Sequence, residues 1–518
     1  MLAKIYSVAN TGLESIGVEV EAEIVKKGFP SFNVVGLASK AVDEARERVR
    51  VAVDNSGVEF PSRSKITINL APADVAKEGS CYDLPIALAI LLASEQIHPR
   101  NNIFEKSLFF GELSLDGSLR HTKGIFLVAD FAVKTGFERI FVPRLSAAEA
   151  ACFQNLEVFP VNSLSELISY LLGLRQLKSL KKLDLTSLIL NSDSEFDMAQ
   201  IVGQYQAKRA LEIAAAGGHN VFMIGSPGSG KTMLARALPG IMPVLTEAEA
   251  IEVTRIYSVT GNIGPGESIV RRRPFRAPHH TISRVGLVGG GSKLQPGEVS
   301  LAHRGTLFLD ELPEFPRHVL EALRQPLEDG YISISRAAGR AIFPSQFVLV
   351  AASNPCPCGY LGHPIQHCRC LPGQIANYRK RLSGPIMDRI DIHLNIPPVE
   401  IEKLTTSLSA EEGESSAKIR QRVEQARRIQ RIRFAKLGIN LRSNSEMRIK
   451  EIKTICKLHS ESLKLLNQAA EKLGFSARTY FKIIKIAQTI ADLAGEEQIT
   501  PPIIAEALQY RAGQIDIL

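Results

Sequence analysis

Gly225-Ser226-Pro227-Gly228-Ser229-Gly230-Lys231-Thr232 sets glycines, a lysine and a hydroxyl in the spacing G-x-x-x-x-G-K-[ST]. Backbone N–H groups of such a loop can surround phosphates. The Lys231 amine can reach β- and γ-phosphates, and the Thr232 hydroxyl can ligate Mg²⁺. The flanks suit this chemistry. Asn220–Ile224 (NVFMI) reads as a short buried strand and Met233–Leu238 as a helix, so a helix N-terminus faces the anion. A plain glycine turn is the alternative, but the strand and helix on either side favour a bound nucleoside triphosphate, ATP with Mg²⁺.

Further along, Thr306–Leu309 (TLFL) is an apolar strand that ends in Asp310-Glu311. A carboxylate there can hold Mg²⁺, and the next can activate water, so Asp310 is assigned to the metal and Glu311 to the general base. Phe347–Ala352 (FVLVAA) is another buried strand, closed by Ser353-Asn354. Asn354 reads as a sensor that orients water against the γ-phosphate; the alternative is an Asx-type turn. Cys356-x-Cys358 and Cys368-x-Cys370 follow at once. Four thiolates could close a tetrahedral, structural Zn²⁺ site. Reduced free cysteines are the alternative.

These residues need elements to place them. At 518 residues the chain is expected to form several domains. Residues 1–172 mix strand-like and helical runs. Gly17–Val25 alternates as a half-buried strand, Ala41–Asn55 has helical spacing, and Lys65–Leu70 is a second strand. Ser107–Leu119 suggests a hairpin turned at Asp116-Gly117. Residues 173–196 read as a polar linker, 197–400 as the nucleotide-binding α/β unit, and 401–518 as a basic helical domain. The longest apolar stretch, Leu84–Ala93, suits a buried helix and is too short to span a bilayer. No signal-peptide pattern opens the sequence, so a cytoplasmic location and no membrane partner are expected.

Seven cysteines in such a chain argue against a disulfide framework. The net charge of +8 leans toward a polyanionic partner. Its distribution is more telling. Ser268–Gly297 carries no Asp or Glu, but holds Arg271, Arg272, Arg273, Arg276, Arg284 and Lys293. Lys418–Arg442 is also strongly basic, with Ile419, Val423 and Ala426 at helical spacing; a solvated helix face is the default reading.

The motifs, in order, resemble the AAA+ ATPases, and within them the YifB/ComM family of the Mg-chelatase-like branch. The shared segments are Arg273-Pro274-Phe275-Arg276-Ala277-Pro278-His279-His280, Pro296-Gly297-Glu298, and Asp310-Glu311-Leu312-Pro313-Glu314-Phe315. Asn354-Pro355-Cys356-Pro357-Cys358-Gly359 and Arg381-Leu382-Ser383-Gly384-Pro385 with Asp388-Arg389-Ile390-Asp391 continue the series. Ile201-Val202-Gly203-Gln204 matches the segment near the adenine.

The resemblance implies a P-loop AAA+ α/β module preceded by an α+β domain like the Lon protease domain, of ribosomal S5 domain 2 type, and followed by a helical lid. It also implies a homohexameric ring with active sites between subunits. Arg389 would then be the arginine finger, a residue that can contribute on the order of 10³–10⁵ in rate. Arg478 matches the lid arginine called sensor 2. Tyr331–Phe343 reads as a hairpin around Ala338-Gly339, and such hairpins project into the ring pore in related ATPases. Lys293, Arg336 and Arg340 are the candidate DNA contacts, tracking a phosphate backbone without reading sequence; a place at subunit interfaces is the alternative.

The activity implied is that of an ATP-driven motor on branched or single-stranded DNA, similar to ComM helicases of recombination and natural transformation. A Mg-chelatase-like chaperone subunit is the second reading. Proteolysis is a third. Lys77-Glu78-Gly79-Ser80 and Gly111–Gly117 resemble the Lon-type domain, but its serine falls on Cys81 and its lysine on Phe126, with only Ser80 and Lys123 nearby.

Overall fold

The computed structural model describes residues 2–26, 29–36, 40–98, 103–190, 195–291, 294–336, 339–382, 384–398 and 413–512. Two compact units result. One comprises Met1–Leu188, Glu247–Arg271 and Ser335–Ile342, and the other Ile189–Thr246, Arg272–Ile334 and Phe343–Leu518. The helix Glu247–Thr260, which lies inside the 197–400 span, groups with the first unit.

In the first unit, a seven-stranded mixed sheet runs in the order Ser31–Val35, Lys65–Ala71, Glu14–Val25, Leu2–Thr11, Ser107–Phe109, Arg139–Pro143, Glu157–Val161. Alternation in Glu14–Val25 buries Val18, Val20, Ala22 and Ile24 on one face, as a period of two requires. Lys40–Asn55 is helical and Asp83–Ala93 is a buried helix, both as expected. The expected hairpin is shorter. Ser107–Phe109 joins the main sheet, and the turn at Asp116-Gly117 joins only Glu112–Leu113 to Leu119–Arg120. Gly117 takes φ +80°, a left-handed conformation that favours glycine.

Two acids sit inside this unit. Asp83 receives Arg48 Nε at 2.9 Å and the Leu113 N–H at 3.3 Å, and burial still raises its pKa to about 6. Glu149 accepts the Phe126 N–H at 3.2 Å and the Ser258 hydroxyl. Burial lifts it to about 7 against both hydrogen bonds. Ser258 thus fastens the helix Glu247–Thr260 to the start of the helix Ile125–Thr135, aided by the Gly124 N–H on the Ser258 carbonyl at 3.0 Å.

The second unit holds a five-stranded, wholly parallel sheet. Its order is Phe275–Arg276, Thr306–Leu309, Val348–Ser353, Val221–Gly225, Ile392–Ile396. Numbered along the chain that is 2-3-4-1-5, so the phosphate-loop strand lies between Val348–Ser353 and the last strand. Thr306–Leu309 and Val348–Ser353 are buried throughout, which is why they read as continuous apolar runs.

Helices Ser416–Lys436, Ala477–Ala494 and Pro501–Ala512 follow, and their apolar faces share one core with the sheet. Ile419, Val423 and Ala426 are buried as their spacing predicts. Much of the basic charge of Ser416–Lys436 is engaged within the chain. Arg422 Nε reaches Glu212 at 2.6 Å, Arg427 donates to the Ala215 carbonyl, and Arg433 pairs with Asp492. Among the described residues no helix is long and apolar enough to cross a membrane.

The raised pKa of Glu149 gives a pH prediction. The unfolded chain loses this proton near the ordinary carboxylate value of 4.5, and the native chain holds it until about 7. Stability therefore falls as pH rises between those values, by on the order of 3 kcal/mol at about 1.4 kcal/mol per tenfold change in proton affinity. Asp83 adds the same sign. Thermal melts at pH 5 and pH 8 should show Glu149→Gln losing less stability than wild type on going to the higher pH.

Candidate active site

The parallel sheet delivers the site at its C-terminal edge. Gly225 ends one strand, and a Cβ there would lie 2.5 Å from the Ile396 carbonyl of its neighbour. Gly228 and Gly230 take φ +77° and +91°, turning the loop into the helix Lys231–Ile241. Lys231 is only 8% exposed. Its Nζ donates to the carbonyls of Gly225 at 2.7 Å and Ser226 at 2.9 Å, and lies 3.3 Å from Asn354 Oδ1. Burial lowers its pKa, and the charges of Asp310 and Glu311 oppose that shift.

Thr232 Oγ1 donates to Asp310 Oδ2 at 3.2 Å, so the two expected Mg²⁺ ligands are already adjacent. Glu311 adopts φ +51°, and its N–H donates to Asp310 Oδ1 at 2.9 Å. Its carboxylate meets His280 Nδ1 at 3.5 Å. Lys231, Thr232, Asp310, Glu311 and Asn354, read from three separate strands, are thus assembled at one edge. Gln204 borders the loop, donating to the Ser229 and Pro397 carbonyls at 3.4 and 2.8 Å.

The donor set fits a triphosphate with Mg²⁺. The Ser226 and Ser229 hydroxyls are buried in the loop with no hydrogen-bond partner. Such orphaned groups are costly in a finished interior unless a ligand satisfies them.

The four cysteines also converge. Cys356, Cys358 and Cys368 sulfurs are 3.4 to 3.6 Å apart, and all four lie within 4.8 Å of one another. Tetrahedral thiolates at a Zn–S distance of about 2.3 Å would be ~3.8 Å apart, close to this spacing. The backbone N–H groups of Tyr360 and Arg369 pull the Cys358 thiol down to about 6, whereas burial and the neighbouring thiols raise Cys368 and Cys370 against the backbone hydrogen bonds they receive. The cluster could hold a metal. Its loop presses on the phosphate loop, because a Cβ on Gly359 would sit 2.5 Å from Pro227 Cδ.

Arg389 and Arg478 stand apart from the phosphate loop. Arg389 Nη2 pairs with Glu328, and Arg478 Nη2 reaches the same Glu328 oxygen at 3.1 Å. The sequence reading passed over Glu328, since Glu328-Asp329 ahead of Gly330 looks like an ordinary helix end. It also missed the contact of His280 with Glu311. Neither has a spacing signal.

The basic segments are placed in part. Tyr331–Arg336 and Gly339–Pro344 form the expected two-stranded sheet. Ala338 and Lys293 lie outside the described residues, as does the Arg336 side chain, while Arg340 is exposed. Two arginines of the acid-free stretch have partners in the chain. Arg276 grips Glu298 at 2.6 and 2.7 Å, and Arg273 donates to the Pro243, Val244 and Arg304 carbonyls.

At the Lon-like positions a phenylalanine stands where the lysine would, and a cysteine where the serine would. The Phe126 ring is fully buried against Phe153, burial pushes the Cys81 thiol up, and the Ser80 hydroxyl is held by Glu112. Among the described residues Lys123 makes no hydrogen bond to Ser80 or Cys81.

Strand order, phosphate loop and acid pair define a P-loop AAA+ module with a helical C-terminal domain. Family models agree. Magnesium chelatase, subunit ChlI, matches residues 197–404; subunit ChlI of Mg-chelatase matches 18–146; and the ChlI C-terminal model matches 413–511. The chain is 43% identical over 512 residues to competence protein ComM of Haemophilus influenzae, covering 99% of this chain and 97% of that protein. It is 43% identical over 511 residues to YifB of Escherichia coli, with the same coverage. A magnesium-chelatase 38 kDa subunit of Cereibacter sphaeroides is 26% identical over 176 residues, 31% of this chain and 53% of that one. The chain belongs to the YifB/ComM family of Mg-chelatase-like AAA+ ATPases.

Gly359→Ala tests the contact between the two loops. The added methyl would strike Pro227 at a residue with φ +83°. The variant should melt at lower temperature and bind a fluorescent ATP analogue more weakly in an equilibrium titration.

Proposed function

We propose that this chain hydrolyses ATP as a subunit of a homohexameric ring that moves on DNA, in the manner of ComM-type branch-migration helicases. The observation that carries the ATPase part is the assembly of Lys231, Thr232, Asp310, Glu311 and Asn354 beside two unpartnered loop hydroxyls. DNA as the track is supported by full-length similarity to a competence protein and by the exposed Arg340 of the hairpin.

In this reading the loop N–H groups and Lys231 hold the β- and γ-phosphates. Thr232 and Asp310 would hold Mg²⁺, which when bound offsets charge on those phosphates. Glu311 accepts a proton from a water that Asn354 orients. That water's oxygen bonds to the γ-phosphorus as the bond to the β–γ bridging oxygen breaks, leaving ADP and inorganic phosphate. Arg389 and Arg478 act on the γ-phosphate held by the adjacent subunit. The four cysteines hold Zn²⁺ as a structural clamp behind Asn354, without taking part in the chemistry.

A branched DNA junction should stimulate ATP hydrolysis and be resolved only with ATP. Lys231→Ala should abolish both, while Glu311→Gln should keep nucleotide binding and lose turnover by on the order of a hundredfold or more. Absence of stimulation by any DNA form would remove DNA from the proposal. Porphyrin metallation dependent on added partner subunits would instead support the chelatase reading, which the partial match to a 38 kDa subunit keeps in view.

Elemental analysis should find about one zinc per chain, lost in a Cys356→Ser, Cys358→Ser double variant together with a drop in melting temperature. A zinc content near zero in protein prepared without chelators would reject the clamp.

A further inference from the structure

We infer that Glu328 is a positioning residue that holds Arg389 and Arg478 together as a fork for the γ-phosphate of the adjacent subunit's nucleotide. This rests on the ring reading above and adds a residue to it.

Both guanidinium groups meet the same carboxylate oxygen, Glu328 Oε1, through their Nη2 atoms. They come from distant parts of the sequence, one after the short helix Gly384–Met387 and the other in the first turn of Ala477–Ala494. Two like charges drawn to one point repel each other, and a single carboxylate leaves a net positive charge there. The Arg478–Glu328 pair is open to solvent, and exposed ion pairs contribute little to stability, so fold stability is a weak reason for bringing Arg478 to this carboxylate. An incoming phosphate, with several oxygens and more than one negative charge, satisfies two guanidinium groups that a lone carboxylate cannot.

The surroundings make the fork directional. Arg389 is held from behind, with Nη1 on the Pro385 carbonyl and its own carbonyl on Asn220 Nδ2 at 3.1 Å. Its side chain is 14% exposed, and its Nε is buried with no partner. Arg478 and Glu328 are open, at 55% and 45%. One arginine is therefore enclosed and the other open to solvent, with Glu328 meeting both. Donors placed before the reaction need no rearrangement as charge develops on the phosphate.

Glu328 touches none of Gly225–Thr232 among the described contacts, so nucleotide affinity should survive its loss. Glu328→Ala should lower kcat by on the order of tenfold to a hundredfold, with KM for ATP little changed. Glu328→Gln, which keeps an acceptor oxygen without the charge, should fall between Ala and wild type.

The decisive experiment mixes variants. Lys231→Ala keeps the fork and loses the loop; Glu328→Ala keeps the loop and loses the fork. Mixed before ring assembly, they should show more ATPase activity than the sum of the two alone, because some interfaces pair an intact loop with an intact fork. Arg389→Ala mixed with Lys231→Ala is the control. Gain in the control without gain for Glu328→Ala overturns the role of Glu328 and leaves the ring standing. No gain in either mixture overturns the ring reading and the fork with it. A Glu328→Ala chain with wild-type kcat overturns the inference outright.

Discussion

A buried lysine without a carboxylate partner is the constraint around which the second unit is organised. Lys231 is nearly inaccessible, yet among the described residues its amine meets two backbone carbonyls and an amide oxygen instead of an acid. Removing an ammonium from water is expensive unless a counter-charge is supplied. Asp310 and Glu311 act on it only through space, and two loop hydroxyls beside it are unsatisfied. An anion resolves all three conditions at once. The parallel sheet makes the arrangement possible, because its strands end on one edge and bring residues separated by more than a hundred positions into contact.

Behind that edge, a polar interior ties the catalytic strands to the helical domain. Asn220 accepts the Leu349 N–H at 2.9 Å and donates to the Arg389 carbonyl, joining the phosphate-loop strand, the strand Val348–Ser353 and the segment that carries Arg389. His219 bridges Asp391 at 3.0 Å and Thr489 at 2.9 Å. Burial would raise Asp391, but Lys482 and His219 hold it well below the usual carboxylate range. Such buried networks are high-stakes, since breaking one member strands the others.

Much of the second unit was legible because its signals are local. Apolar runs closed by Asp310-Glu311 and by Ser353-Asn354 announce buried parallel strands, and the glycine spacing announces the loop between strand and helix. The cysteine pairs were visible as a cluster for the same reason. What escaped depends on contacts between distant segments. Nothing in the sequence around Glu328 indicates that two arginines will meet there. Glu149 looks like a surface acid in a run of alanines until the fold buries it beneath Ser258. The helix Glu247–Thr260 follows the phosphate-loop helix in sequence, but its buried face includes Val253 and Ile256 and its Ser258 docks on the first unit. The basic helix Ser416–Lys436 does present the expected solvated face, with Lys418, Arg428 and Arg431 exposed, but charge counting could not show that Arg422, Arg427 and Arg433 are engaged by acids and a carbonyl nearby.

Calorimetric titration of Mg²⁺-ATP into the purified chain tests the central claim most directly, since it measures occupancy of the buried lysine's site without requiring a track, a ring or turnover. The expected result is one nucleotide per chain, with binding weakened by more than tenfold in a Lys231→Met variant that keeps an unbranched chain one atom shorter and removes the charge. Absence of heat at millimolar ATP, or equal affinity in the variant, would contradict it.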